Sequence, residues 1–67
     1  MLDLKGLSCP EPVIEVRKHL KGVDNLTLVV DNVCSKENIV RYAKAVSFSS
    51  KVTKDAEDNY IIELIKL

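Results

Sequence analysis

Residues 7–13 read Leu-Ser-Cys-Pro-Glu-Pro-Val. Both prolines of the 67-residue chain stand beside one of its two cysteines. Proline is comfortable in the first turn of a helix, where the backbone amides have no partner inside the helix. With Pro10 as the first helical residue, Cys9 becomes the N-cap, and the following proline holds it out of the α region, as a cap requires. Pro12 then fills a third-residue position whose amide would also be orphaned. Glu11 allows a second arrangement: it precedes Pro12, disfavours helical angles for that reason, and can itself cap a helix that begins at Pro12. In both arrangements the Cys9 sulfur lies at the positive end of a helix dipole, which favours thiolate and lowers a thiol pKa from its usual ~8.5. The Glu11 carboxylate pulls the other way. The two imino acids also stiffen the turn, so that little entropy is lost when a partner docks on it.

The elements around this turn follow from periodicity. Residues 2–5 alternate apolar and polar and predict a short strand, with a loop at 6–8. A helix is predicted from Pro10 to about Lys21, with Val13, Val16, Arg17 and Leu20 on one face, Glu15 and Lys18 placed to pair, and Gly22 as the stop. Residues 26–31 (LTLVVD) are β-branched and apolar on both faces, as in a central strand. Residues 35–46 predict the clearest helix, with Ser35 as N-cap, Glu37 four residues before Arg41, and Ile39, Tyr42, Ala43 and Val46 at i, i+3, i+4 and i+7. Strands at 48–54 and 60–67 flank a turn at 55–59. The order β-α-β-α-β-β predicts an α/β two-layer sandwich in which a mixed four-stranded sheet carries both helices on one face. Right-handed crossovers then bring both helix starts to the same edge of the sheet, so Cys9 and Cys34 share one rim despite 25 intervening steps of sequence.

Composition narrows the function. The chain is 46% hydrophobic, enough for one small core, and a single domain over residues 1–67 is expected. Ten basic side chains balance ten acidic ones, which is unlike the positive field of a duplex-nucleic-acid binder. The three aromatics form no base-stacking element, so direct nucleic-acid readout is not expected. Membrane association is not expected either, because no apolar run approaches the ~20 residues of a span. The amino terminus lacks the basic start and apolar stretch of a signal peptide, which predicts a cytoplasmic protein whose thiols are kept reduced. No metal or other cofactor is expected: His19, the one histidine, falls about 15 Å along the helix axis from Cys9.

The stretch LDLKGLSCPEPV, followed by a helix, resembles the opening of the TusA/SirA family of small sulfur-handling proteins, whose signature is a Cys-Pro-x-Pro element after a short strand and a Gly-Leu pair. The stretch VDNVCSKENIVRYAKAV is similar to the YedF branch of that family, which is associated with selenium metabolism. The resemblance covers essentially the whole chain and implies the family's two-layer fold. It also implies a sulfur-carrier or sulfurtransferase-type role: a thiolate takes the sulfane sulfur of a donor persulfide, holds it as Cys-S-SH, and yields it to an acceptor. In TusA this relay feeds thiolation of transfer-RNA uridine. Carried onto this chain, the carrier is Cys9, framed by Pro10, Glu11 and Pro12. The implied partners are a sulfur donor protein such as a cysteine desulfurase and a downstream acceptor protein.

Plainer readings stand beside these. Cys9 can be a structural thiol at a turn, and the protein a non-catalytic binding domain linked to selenium metabolism. Cys34 can be a small apolar filler at a strand end, or a resolving or relay thiol; the family does not generally need a thiol there. If the two cysteines couple, the chain is a thiol redox or regulatory module. Asp31 and Asn32 are read as turn residues or as groups that orient the sulfur or a partner. The helix cations Arg17, Lys18, Lys21, Lys36, Arg41 and Lys44 are interleaved with Glu11, Glu15 and Glu37, forming a solvated mixed face or a docking surface for an acidic partner. The last strand is apolar on both faces, and its uncovered side is expected to meet a partner or to support a weak homodimer.

Overall fold

The structure, a computed structural model, describes residues 1–9 and 11–67; Pro10, and the expectation that it opens the first helix, lie outside the described residues. The elements run β1 (Leu2–Asp3), α1 (Glu11–His19), β2 (Asn25–Val30), α2 (Val33–Ala45), β3 (Phe48–Lys54) and β4 (Tyr60–Lys66). They form one mixed sheet in the order β1-β2-β4-β3, with β1 and β2 parallel and the other pairs antiparallel. The expected α/β architecture is therefore present, both helices covering the same face of the sheet.

Register explains which face they cover. Leu2 pairs with Leu28, Leu28 with Ile62 and Leu26 with Leu64. Because side chains alternate, these residues point to one side together with Val30. Leu28, Val30, Ile62 and Leu64 are fully buried, packed with Val16 and Leu20 from the α1 region and Ile39 and Ala43 from α2. The expected helix faces are thus confirmed at their centres, whereas Arg17 is exposed and the large apolar Val46 is only partly covered. The opposite sheet face carries Thr27, Val29, Ile61, Glu63 and Ile65; neighbouring strands shield Val29, and Ile65 stays half exposed.

The helix ends correct the sequence reading in three places. Helix α1 begins at Glu11, so neither the Pro12 start nor Glu11 as a cap outside the helix holds. It ends at His19, two residues short of the expected Lys21, and the chain reverses through Gly22 at φ +78°. Ser35 is not the cap of α2. The cap is Asn32, in extended conformation, whose side-chain oxygen accepts the Ser35 amide at 2.8 Å. Both residues are good caps by type, but strand β2 ends at Val30, which makes Asn32 the last residue available in extended geometry. Helix α2 consequently starts two residues before Ser35, and Cys34 lies inside its first turn rather than ahead of it. At the far end, α2 closes through Val46 and the left-handed Ser47 (φ 65°), with the Ser47 amide donating to the Lys44 carbonyl.

Of the expected ion pairs, Lys18–Glu15 forms at 3.4 Å, whereas Glu37 meets Lys36 at 3.5 Å rather than Arg41. The 55–59 turn is built on Asp55, which accepts the backbone amides of Glu57 and Asn59. These bonds favour the carboxylate and lower the Asp55 pKa. No helix of the described residues is long and apolar enough to cross a membrane.

Candidate functional site

The parallel pairing of β1 and β2 brings both βα loops to one rim, where a chain of hydrogen bonds ties them together. Gly6, at φ +85°, turns the chain after β1 and aims its amide at Asp31, which accepts it at 2.9 Å across 25 residues. The other Asp31 oxygen accepts from the Asn32 side chain at 3.2 Å, and Asn32 in turn caps α2. The Gly6 amide, followed by the Asn32 amide group, lowers the Asp31 pKa by stabilising its charged form. Asp31 and Asn32, read from sequence as turn or orienting residues, join the loop that carries Cys9 to the start of the helix that carries Cys34.

Cys9 lies two residues ahead of the first described residue of α1 and is half-buried; Cys34 is exposed, and both thiols are free. The α1 start closes on itself. The Glu11 amide donates to the Ser8 carbonyl at 2.7 Å, and the Glu11 carboxylate reaches back to the Ser8 amide at 3.4 Å. Pro12 is buried. Glu11 is thus occupied with the loop, and it is not the group that sets the Cys9 titration.

That group is Cys34. Its thiol, as a hydrogen-bond partner, is the largest influence on Cys9 and raises its pKa; partial burial adds to this, and the Asn38 amide opposes it. The direction is opposite to the lowering expected from helix-end placement alone. A hydrogen bond from the Cys9 thiol to the Cys34 sulfur is lost on ionisation, so it favours the protonated form.

Asn38 is the residue that the sequence did not single out. One turn beyond Cys34 on α2, its side-chain amide donates to Cys9 Sγ and lies 3.8 Å from Cys34 Sγ. One nitrogen therefore touches both sulfurs. Spacing offered a partial signal, since positions 34 and 38 share a helix face, but nothing local placed Cys9 against that face.

The rim also carries Tyr60, which pairs with Val30 at the end of β2 and with Lys54 at the end of β3. The ammonium groups of Lys36 and Lys54 lie 5.4 Å and 5.3 Å from the Tyr60 ring centre, at cation–π distance. Of the expected cationic face, only Lys36 reaches this rim group. His19 sits at the other end of α1, its Nδ1 2.9 Å from the Glu15 carbonyl. Among the described residues no group of three or more His, Cys, Asp and Glu side chains is arranged around a shared metal position.

Two grooves lie along α1. The larger, about 450 Å³, runs between β1 and α1 and is lined by Leu2, Leu4, Leu7, Ile14, Asp3, Glu11 and Glu15. The smaller, about 210 Å³, is bordered by Ile14, Arg17, Lys18 and Lys21. Neither is lined by a thiol. The sulfurs instead stand on the rim, where exchange with another macromolecule needs no entry into a pocket.

Comparison with known proteins agrees with this geometry. The family described as sulfurtransferase TusA matches residues 1–66. The crystal structure of a SirA-like protein from Desulfitobacterium hafniense superposes with a TM-score of 0.85 at 26% identity, covering 96% of this chain and 92% of that one. A comparison with curated protein sequences found no match. With the family match running over nearly the whole chain, and the solved relative superposing on its fold, the chain belongs to the TusA sulfurtransferase family.

Proposed function

We propose that this chain carries sulfur as a persulfide on Cys9, within the Cys-Pro-x-Pro frame of Pro10, Glu11 and Pro12, as one domain in a reducing cytoplasmic setting. The observation that carries the reading is the position of Cys9: half-buried on an open rim, outside both grooves, with its sulfur accepting from Asn38. A thiol so placed meets a partner's sulfur at the surface while its own orientation is fixed. The donor is a protein that generates a persulfide, such as a cysteine desulfurase, and the acceptor is a second protein docking on the same rim. Because the Cys34 contact disfavours the Cys9 thiolate, a partner promotes ionisation by displacing Cys34 or by bringing a base. The similarity of the stretch VDNVCSKENIVRYAKAV to the YedF-like branch supports that branch as the chain's place within the family.

The test uses Cys34→Ser, in which Cys9 is the sole thiol. Incubated with a cysteine desulfurase and free cysteine, it gains about 32 Da, one sulfur atom, located on Cys9 by peptide mass spectrometry. Cys9→Ser gains nothing at that site. A Cys34→Ser protein that stays at its starting mass overturns the proposal.

A second reading, a reversible thiol switch without sulfur transfer, draws on the contact of both sulfurs with the Asn38 amide. It expects a disulfide on mild oxidation of the wild-type chain and no sulfur gain in either variant.

A further inference from the structure

From the geometry of the paired sulfurs we infer that Cys34 is a resolving thiol: when no acceptor is docked, it discharges the Cys9 persulfide as hydrogen sulfide and leaves a Cys9–Cys34 disulfide. This rests on the carrier reading of Cys9 and adds a second outcome for the sulfur held there, reductive release rather than transfer.

The placement separates two lines of approach. Cys34 is exposed in the first turn of α2, and the Asn38 amide that contacts Cys9 Sγ lies within 3.8 Å of Cys34 Sγ. One nitrogen therefore contacts both sulfurs and makes them neighbours on the rim; a disulfide closes between such a pair without backbone movement where the Cα atoms lie within about 7 Å. A persulfide on Cys9 projects its outer sulfur about 2 Å beyond Sγ, into the space a docked acceptor would occupy. Cys34 is carried by the same helix as Asn38, whose amide contacts the inner sulfur. It attacks that inner atom, whereas an incoming acceptor takes the outer one. The close approach also accounts for the raised Cys9 pKa, which reflects the neighbouring thiol.

The step balances without an added oxidant. The Cys34 sulfur, giving up its proton, forms a bond to Cys9 Sγ. The Sγ–S bond of the persulfide breaks, and its electron pair leaves with the outer sulfur, which takes the proton and departs as hydrogen sulfide. The sulfane sulfur is reduced by two electrons, and the two cysteines are oxidised to the disulfide. A dithiol reductant, of the kind that keeps cytoplasmic thiols reduced, returns both cysteines to the starting state.

The experiment loads the reduced wild-type chain and Cys34→Ser with inorganic polysulfide, removes the excess by rapid desalting, and follows intact mass and free sulfide over time. The expected wild-type result is a transient gain of about 32 Da that converts to a form about 2 Da below the reduced mass, with one equivalent of sulfide released. Peptide mapping finds Cys9 joined to Cys34. Cys34→Ser holds its added sulfur on Cys9 and releases none. A wild-type adduct that persists as long as the one in Cys34→Ser overturns the resolving role and leaves the carrier reading standing, as does migration of the added sulfur to Cys34 without sulfide release. A Cys34→Ser protein that takes no sulfur from either polysulfide or desulfurase overturns the carrier reading, and the resolving role with it.

Discussion

The two helix starts occupy the same rim and follow parallel strands, yet they are built differently. Helix α2 runs for 13 residues from an Asn32 cap and is pinned by Ile39 and Ala43, both fully buried. Helix α1 is nine residues long, closed by the Ser8 carbonyl and the Glu11 carboxylate, and anchored by Pro12 and Val16. Cys34 belongs to its helix. Cys9 stands ahead of its helix, and its sulfur takes an amide donor from the other one. The difference separates a scaffold from what it supports: α2 supplies one thiol, positions the second, and is tied through Asn32 and Asp31 to the loop preceding Cys9. Damage to α2 therefore reaches both sulfurs, whereas damage to α1 reaches one.

The largest effect that would break this contrast comes from the core. Ile39→Ala is expected to lose about 2–5 kcal/mol of stability by cavity formation, and Val16→Ala about 1–3 kcal/mol, because fewer buried methyl groups are removed. Urea unfolding measures both. Equal losses would show that the helices anchor the fold alike.

The cap comes next. Asn32→Ala removes the oxygen that receives the Ser35 amide and should cost about 1 kcal/mol. Alkylation of Cys34 and Cys9 should quicken together, since fraying of α2 loosens Asn38 as well. A change confined to Cys34 would uncouple the two starts.

Ser35 sharpens the assignment of the cap. The residue is 1% exposed, and its buried hydroxyl has no hydrogen-bond partner among the described residues. Ser35→Ala should leave stability unchanged or raise it by up to about 1 kcal/mol, by removing an unpaired buried oxygen. A clear loss in the same urea titration would return the capping role to Ser35.

The smallest effects are in titration and carry opposite signs. The Cys34 thiol raises the Cys9 pKa and the Asn38 amide lowers it. Cys34→Ala should therefore shift the pH profile of Cys9 alkylation to lower pH, and Asn38→Ala should shift it to higher pH. A merely structural role for Asn38 would change the rate without displacing the midpoint.

The legible part of this protein was its local patterning. Alternation in LDLK, the apolar runs LTLVVD and YIIELIKL, the 3.6-residue spacing of Ile39, Tyr42, Ala43 and Val46, and the turn residues at 55–59 produced six elements in the right order. The handedness of crossovers then placed Cys9 and Cys34 on a shared rim. The Cys-Pro-x-Pro element with its flanks pointed to sulfur chemistry and to the family that the comparison established.

Competition between near-equal local choices, and contacts between distant residues, were decided by the folded chain. Asn32 and Ser35 are comparable caps by chemistry; the end of strand β2 at Val30 selected Asn32 and drew Cys34 into the helix. The bond from Asn38 to Cys9 spans 29 residues and exists because the sheet pairs β1 beside β2. The sign of the Cys9 shift has the same origin. A helix dipole can be inferred from a run of sequence, but the neighbouring Cys34 thiol that raises the Cys9 pKa is brought there by packing.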